Sequence, residues 1–187
     1  MSDTGNVTFS GILGDGTPVT AACRLSGQGR WPFYVSLYGG KGSILGWLNF
    51  TSEGGISGQT AWFKLPQAAA RFYPGGFIQS AGAIGSAYHY TNGLPVLGFT
   101  NGSLSLLNGN LAQGITSPIS LASETPATDG SASRLSVNTS SGLFQISVIS
   151  PETGRPISVR GIVLQNQNYG AGLFLGPSET GSALLSP

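Results

Sequence analysis

Trp31-Pro32-Phe33-Tyr34-Val35-Ser36-Leu37-Tyr38, then Gly39-Gly40-Lys41-Gly42, then Ser43-Ile44-Leu45-Gly46-Trp47-Leu48-Asn49-Phe50, is the stretch that decides the fold. Phe33, Val35 and Leu37 alternate with Tyr34, Ser36 and Tyr38, which puts aliphatics and one ring on one strand face and tyrosines on the other. The glycine-rich segment turns the chain, and Ser43 to Phe50 follows as the next strand. The pattern around this hairpin occurs twice. In the first copy its landmarks are Phe9, Gly16-Thr17-Pro18-Val19, Leu25, Trp31-Pro32-Phe33-Tyr34 and Gly42-Ser43-Ile44-Leu45. In the second they are Phe144, Gly154-Arg155-Pro156-Ile157, Leu164, Tyr169-Gly170 and Gly181-Ser182-Ala183-Leu184, and Leu164 to Gly181 repeats the interval from Leu25 to Gly42. A repeated supersecondary unit implies two halves packed on one core.

Working outward, alternation and turn punctuation dominate, and no amphipathic helix is legible. Asn6 to Leu13 and Thr17 to Leu25 read as strands joined at Asp15-Gly16. After Phe50, Glu53-Gly54-Gly55 turns the chain into a fifth strand in the latter half of Ile56 to Lys64. Gln67 to Phe72 has room for one helical turn before Pro74 and Gly75-Gly76, and Gly82 to Tyr90 reads as an irregular crossover. Short strands between Gly98 and Ala122 are punctuated by Asn101-Gly102 and Asn108-Gly109, both hairpin signals, and Ser123 to Gly130 reads as an exposed, mobile loop. Arg134 to Asn138, Leu143 to Ile149, Pro156 to Gln165, Ala171 to Leu175 and Ala183 to Ser186 complete about a dozen strands, the range in which antiparallel sheets close or stack. The expected fold is therefore all-β: an antiparallel barrel, or a pair of small barrels, built from two pseudo-repeated halves. These form a single domain over 1–187, with halves of roughly 5–90 and 91–187. A β-sandwich is the alternative.

Composition sets the functional frame. Charged residues are only 8% of the chain, against roughly 25% in an average soluble domain, so solubility rests on Ser, Thr, Asn, Gln and backbone. That suits an exported β protein. The net charge of +1 comes from singly scattered residues, which gives no electrostatic footprint for nucleic acid. Cys23, the one cysteine, excludes an intrachain disulfide and reads as a small core residue. There is no apolar run long enough to insert in a membrane as a helix, and Met1-Ser2-Asp3-Thr4 lacks the basic and apolar regions of a signal peptide. The chain is accordingly expected to be a domain of a larger exported parent.

Arg155-Pro156-Ile157-Ser158-Val159-Arg160-Gly161-Ile162-Val163-Leu164-Gln165-Asn166-Gln167-Asn168-Tyr169-Gly170-Ala171-Gly172-Leu173-Phe174-Leu175-Gly176, with its Gly181-Ser182 ending, resembles the C-terminal β-rich modules of very large bacterial surface or exported proteins. Trp31 to Leu48 is similar to the upstream half of those modules. The resemblance implies an extracellular or cell-surface setting, neighbouring domains as partners and no catalytic role, and it carries over no functional residues.

Catalytic chemistry has few residues to draw on. His89 is the one histidine and is flanked by Tyr88 and Tyr90, which reads as an aromatic cluster rather than a general base. The acidic residues, Asp15 among them, fall mostly in turns and none at a core-facing strand position. No Asp-x-Asp or His-x-His spacing marks a metal site, and no cofactor is expected, although carbonyl-held calcium near Asp129 or Glu152 stays open. The sharper signal is an asymmetry: all three tryptophans and five of the six tyrosines precede residue 91. Aromatic faces bind sugar rings by apolar contact while amide and cationic side chains bond the hydroxyls, so this low-charge surface suits a neutral polysaccharide. The candidate ligand-binding residues are Trp31, Tyr34 and Tyr38 with Arg30 and Lys41, then Tyr73, Tyr88 and Tyr90. Trp47 and Trp62, beside Leu48 and Phe63, read as core. The alternative function is a structural or adhesive module with no small ligand. Exposed, coplanar rings at Trp31, Tyr34 and Tyr38 would favour binding; burial of all three would favour adhesion.

Overall fold

The computed structural model describes residues 5–121 and 134–187. The chain is all-β: strands make up 57% of the described residues, far above the roughly 20–25% of an ordinary domain, and the sheets are antiparallel and include a curled half-barrel. The loop expected at Ser123 to Gly130 lies outside the described residues. The chain divides into two compact units, Met1–Gly85 and Ser86–Pro187.

In the first unit, β1 (Asn6–Ile12) and β2 (Pro18–Arg24) form a two-stranded sheet. Their turn is closed by the Leu13 N–H to Thr17 carbonyl bond of 2.9 Å and by Gly16 at φ 81°. β3 (Arg30–Leu37), β4 (Gly42–Phe50), β5 (Ile56–Lys64) and β6 (Phe77–Gly85) follow as a four-stranded meander. Val7, Val19, Trp31, Phe33, Val35, Leu37, Ile44 and Leu48 form the core of the unit. The expected alternation holds for β3, with Phe33, Val35 and Leu37 buried and Tyr34 and Ser36 exposed. Tyr38 breaks it. The strand ends at Leu37, and Tyr38 takes the left-handed φ of 55° within a 3-10 turn over Tyr38–Gly40, which swings its ring off the tyrosine face.

Two readings before residue 90 need correction. Gly82–Gly85, expected within an irregular crossover, ends strand β6. Among the described residues that strand pairs only with β5, and it exposes most of its side chains, so it carries no alternating pattern to read and is held by its backbone ladder. Gln67 to Phe72 forms no helical turn of its own: Ala70 N–H bonds the Gln67 carbonyl at 2.9 Å in a simple turn, and Gln67 N–H bonds the Pro74 carbonyl at 2.8 Å.

In the second unit, β7 (Asn101–Asn108), β8 (Ile115–Ser120), β9 (Arg134–Asn138), β10 (Leu143–Ile149), β11 (Pro156–Leu164), β12 (Tyr169–Leu175) and β13 (Thr180–Ser186) form one sheet in the order β8-β7-β13-β12-β11-β10-β9. Leu104, Leu106, Ile146, Val159 and Leu185 are the most deeply buried side chains among the described residues. Asn108-Gly109 turns the chain as expected, with both residues at left-handed φ. Asn101-Gly102 does not turn it; these residues open β7, and Gly102 is glycine because a Cβ there would overlap the Ser186 carbonyl.

The landmark residues of the two ends fall in strands or at their starts. Phe9 and Phe144 lie in β1 and β10, Pro18 and Pro156 begin β2 and β11, and Gly42 and Gly181 lie at the starts of β4 and β13. The copies part at the second connection, since β2 and β3 belong to different sheets whereas β11 and β12 pair directly.

Candidate functional site

The aromatic residues of the first unit divide between two places. Register generates the first. Because Tyr34 lies opposite Leu45, Pro32 opposite Trp47 and Arg30 opposite Asn49, these side chains share the face of the four-stranded sheet that points away from the core. β5 and β6 continue the rows with Gln59 opposite Trp47 and Gly82 opposite Gln59. Tyr34 is 61% exposed and Trp47 49% exposed, with Leu45 also exposed between them. The Arg30 guanidinium lies 5.0 Å from the centre of the Trp47 ring, a cation–π contact that fixes the indole against the sheet. Trp47, expected in the core, is therefore on the surface. Parity carried that signal: Ile44, Leu48 and Phe50 turn inward, so Leu45, Trp47 and Asn49 turn outward.

Trp31 leaves this face. At 5% exposure it is core, edge-on to Phe33 at 5.2 Å and stacked on Phe50 at 6.1 Å. The expected platform of Trp31, Tyr34 and Tyr38 therefore does not form: Trp31 and Tyr34 differ in strand parity and face opposite ways, and Tyr38 lies beyond the end of the strand. Lys41 is exposed at the end of the 3-10 turn. Tyr73 is half-buried at φ 51° and edge-on to Phe77 at 5.6 Å. Tyr88 and Tyr90 belong to the second unit. Tyr88 packs against that unit's core with its hydroxyl buried and unbonded among the described residues, whereas Tyr90 is exposed and its hydroxyl donates to Asn92 Oδ1 at 3.4 Å. Trp62 is half-buried.

The second place is a buried polar cluster. Asp15, read from sequence as a turn former, has its side chain 2% exposed, and Lys64 Nζ stands 3.5 Å from its Oδ2 with a side chain 4% exposed. The Tyr38 hydroxyl donates to the same Oδ2 at 2.6 Å, and Trp62 Nε1–H donates to the Tyr38 hydroxyl at 3.1 Å. Thr17 N–H donates to Asp15 Oδ1 at 3.1 Å, and Lys64 donates to the Phe72 carbonyl at 2.7 Å while lying 4.7 Å from the Tyr38 ring centre. Sequence reasoning missed Asp15 and Lys64 because nothing local distinguishes a lysine ending a strand from a solvated one.

Burial, and then the hydrogen bond and negative charge of Asp15, push the Tyr38 phenol well above its ordinary value of 10.0. The folded state thus holds a proton that the unfolded chain releases near pH 10, so Tyr38 stabilises the fold below that pH and loses this contribution as pH rises further. In urea titrations from about pH 8 to about pH 11, the wild-type midpoint is expected to fall more steeply above pH 10 than that of Tyr38→Phe. Parallel curves would contradict the assignment.

His89 is exposed, and its N–H donates to Gln165 Oε1 at 2.8 Å while Gln165 Nε2 donates to its carbonyl at 3.0 Å. Among the described residues no group of three or more His, Cys, Asp or Glu side chains is placed to hold a metal, and no helix is long and apolar enough to cross a membrane. No family model matches the chain, and no curated protein or solved structure was found to be similar to it.

Proposed function

We propose that the chain is a non-catalytic extracellular module that binds neutral carbohydrate through the outer face of its four-stranded sheet. The observation that carries this reading is the co-facial exposure of Tyr34 and Trp47, with Arg30 and Asn49 at one end and Gln59 beside Trp47. A pleated sheet offers a flat surface on which two rings one diagonal apart meet successive sugars of an extended polymer. Arg30 carries five N–H donors, and Asn49 and Gln59 both donate and accept, which matches sugar hydroxyls without requiring charge on the ligand. The two matching ends are read as copies of one β scaffold, and binding is assigned to the copy that carries the tryptophans.

Affinity electrophoresis through neutral polysaccharides tests the site. Trp47→Ala and Tyr34→Ala are each expected to weaken retention about tenfold, equivalent to about 1.4 kcal/mol per ring, with unchanged unfolding curves. Wild-type protein that is retarded by no polysaccharide overturns the reading.

An adhesive role has its own support in the second unit. Leu143, Ile162 and Leu184 are exposed in one row across the sheet, joined through Ala171. Such a row suits the flank of a neighbouring domain of a larger surface protein.

A further inference from the structure

The Asp15–Lys64 pair costs the fold desolvation of two charges, and two apolar side chains of similar volume would often fill the space with no loss of stability. What the cluster adds is chemistry. A primary amine and a carboxyl group, on side chains only 4% and 2% exposed, are held side by side, and the two carboxyl oxygens have different partners. Oδ1 accepts from the Thr17 backbone N–H at 3.1 Å. Oδ2 accepts from the Tyr38 hydroxyl at 2.6 Å and is the oxygen 3.5 Å from Lys64 Nζ.

We propose that Lys64 and Asp15 condense to an intramolecular amide, with Tyr38 as the proton donor. The Lys64 ammonium first passes one proton to the carboxylate. Nζ then attacks Cγ, the Nζ–Cγ bond forms, and negative charge develops on Oδ1 against the Thr17 N–H. The Cγ–Oδ2 bond breaks as Tyr38 protonates Oδ2, and Tyr38 recovers a proton from the nitrogen. Three hydrogens on the ammonium become one on the amide and two on the departing water, with no oxidant or other reactant needed. The remaining N–H keeps its bond to the Phe72 carbonyl, now 2.7 Å from Nζ.

Two further observations support the step. The Tyr38 hydroxyl already donates to Oδ2, the oxygen that leaves, at 2.6 Å, so the proton donor is in place before the bond breaks. Condensation also replaces two buried charges by one neutral amide whose oxygen and hydrogen already have partners, while the water leaves. The product ties the β1–β2 turn to the end of β5 across residues 15 to 64, in a chain whose single cysteine allows no intrachain disulfide. Closing a loop of that length restricts the unfolded chain as a disulfide would.

Intact mass under denaturing conditions and tryptic mapping test the proposal. The wild-type chain is expected to be lighter than its sequence by one water, and trypsin should leave Lys64 uncut and release residues 1–24 joined to 42–71. Asp15→Ala and Lys64→Arg should each restore the full mass, and Tyr38→Phe should form the bond about a hundredfold more slowly. Full wild-type mass with cleavage after Lys64 overturns the proposal. So does loss of one water with Lys64 still cleaved, which would instead be ring closure of Asp15 onto the Gly16 nitrogen.

Discussion

Replacing Lys64 by methionine is expected to lower the unfolding free energy of the first unit by about 3–5 kcal/mol. Methionine fills much of the lysine volume, so the loss is electrostatic rather than a cavity. Asp15 would remain almost fully buried with the Tyr38 hydroxyl and the Thr17 N–H as its remaining partners, and the Phe72 carbonyl would lose the lysine donor. The effect spreads because one cluster links four segments: the β1–β2 turn, the 3-10 turn, β5 and the connection before β6. The amide inferred above adds to the same loss, since the unfolded variant would lack the clip. Urea unfolding followed by tryptophan fluorescence reads this directly, because Trp31, Trp47 and Trp62 all lie in the first unit. A loss below about 1 kcal/mol, the range of surface pairs, would mean the pair is hydrated in solution.

Truncating Phe174 to alanine is expected to cost the second unit about 3–5 kcal/mol, read as a lowered midpoint in far-UV circular dichroism. The ring is 2% exposed and packs directly on two glycines: a Cβ at Gly181 or at Gly109 would overlap it. These glycines come from the strand beside Phe174 and from the turn after β7, so the ring holds β12, β13 and the β7–β8 turn together. In the Phe174→Ala variant the two glycines have no side chains to collapse into the space, which places the loss at the upper end of the range. Phe144 repeats the device over Gly161 and Gly170. If Phe174→Ala costs less than about 1 kcal/mol, well under the usual loss for a buried ring, the close approach of ring and backbone is not what fixes the strands.

These two sites show why some features were legible and others were not. The β3 alternation, the Asp15-Gly16 and Asn108-Gly109 turns and the strand at Leu143–Ile149 were readable because each depends on a few adjacent residues and the pleat. β6 was not readable, because an exposed edge strand needs only a partner's backbone. Asn101-Gly102 misled because glycine serves close approach as well as turns, and sequence does not say which. At the candidate binding face residue type points to Arg30 and Tyr34, but it also points to Trp31, which parity places with Phe33 in the core, and the apolar neighbour Leu48 hides the outward parity of Trp47.

By itself, the sequence determined the all-β class, most strand positions, the echo between the ends and the concentration of aromatic residues before residue 91. Each of these follows from local composition and periodicity. Which rings face outward together, and the meeting of buried Asp15 and Lys64 with the half-buried Tyr38 and Trp62, follow only from the tertiary structure. The reason is physical. Register sets which side chains are neighbours across strands, and burial sets whether a charged group is solvated or must find a partner; both depend on contacts between residues far apart in the chain.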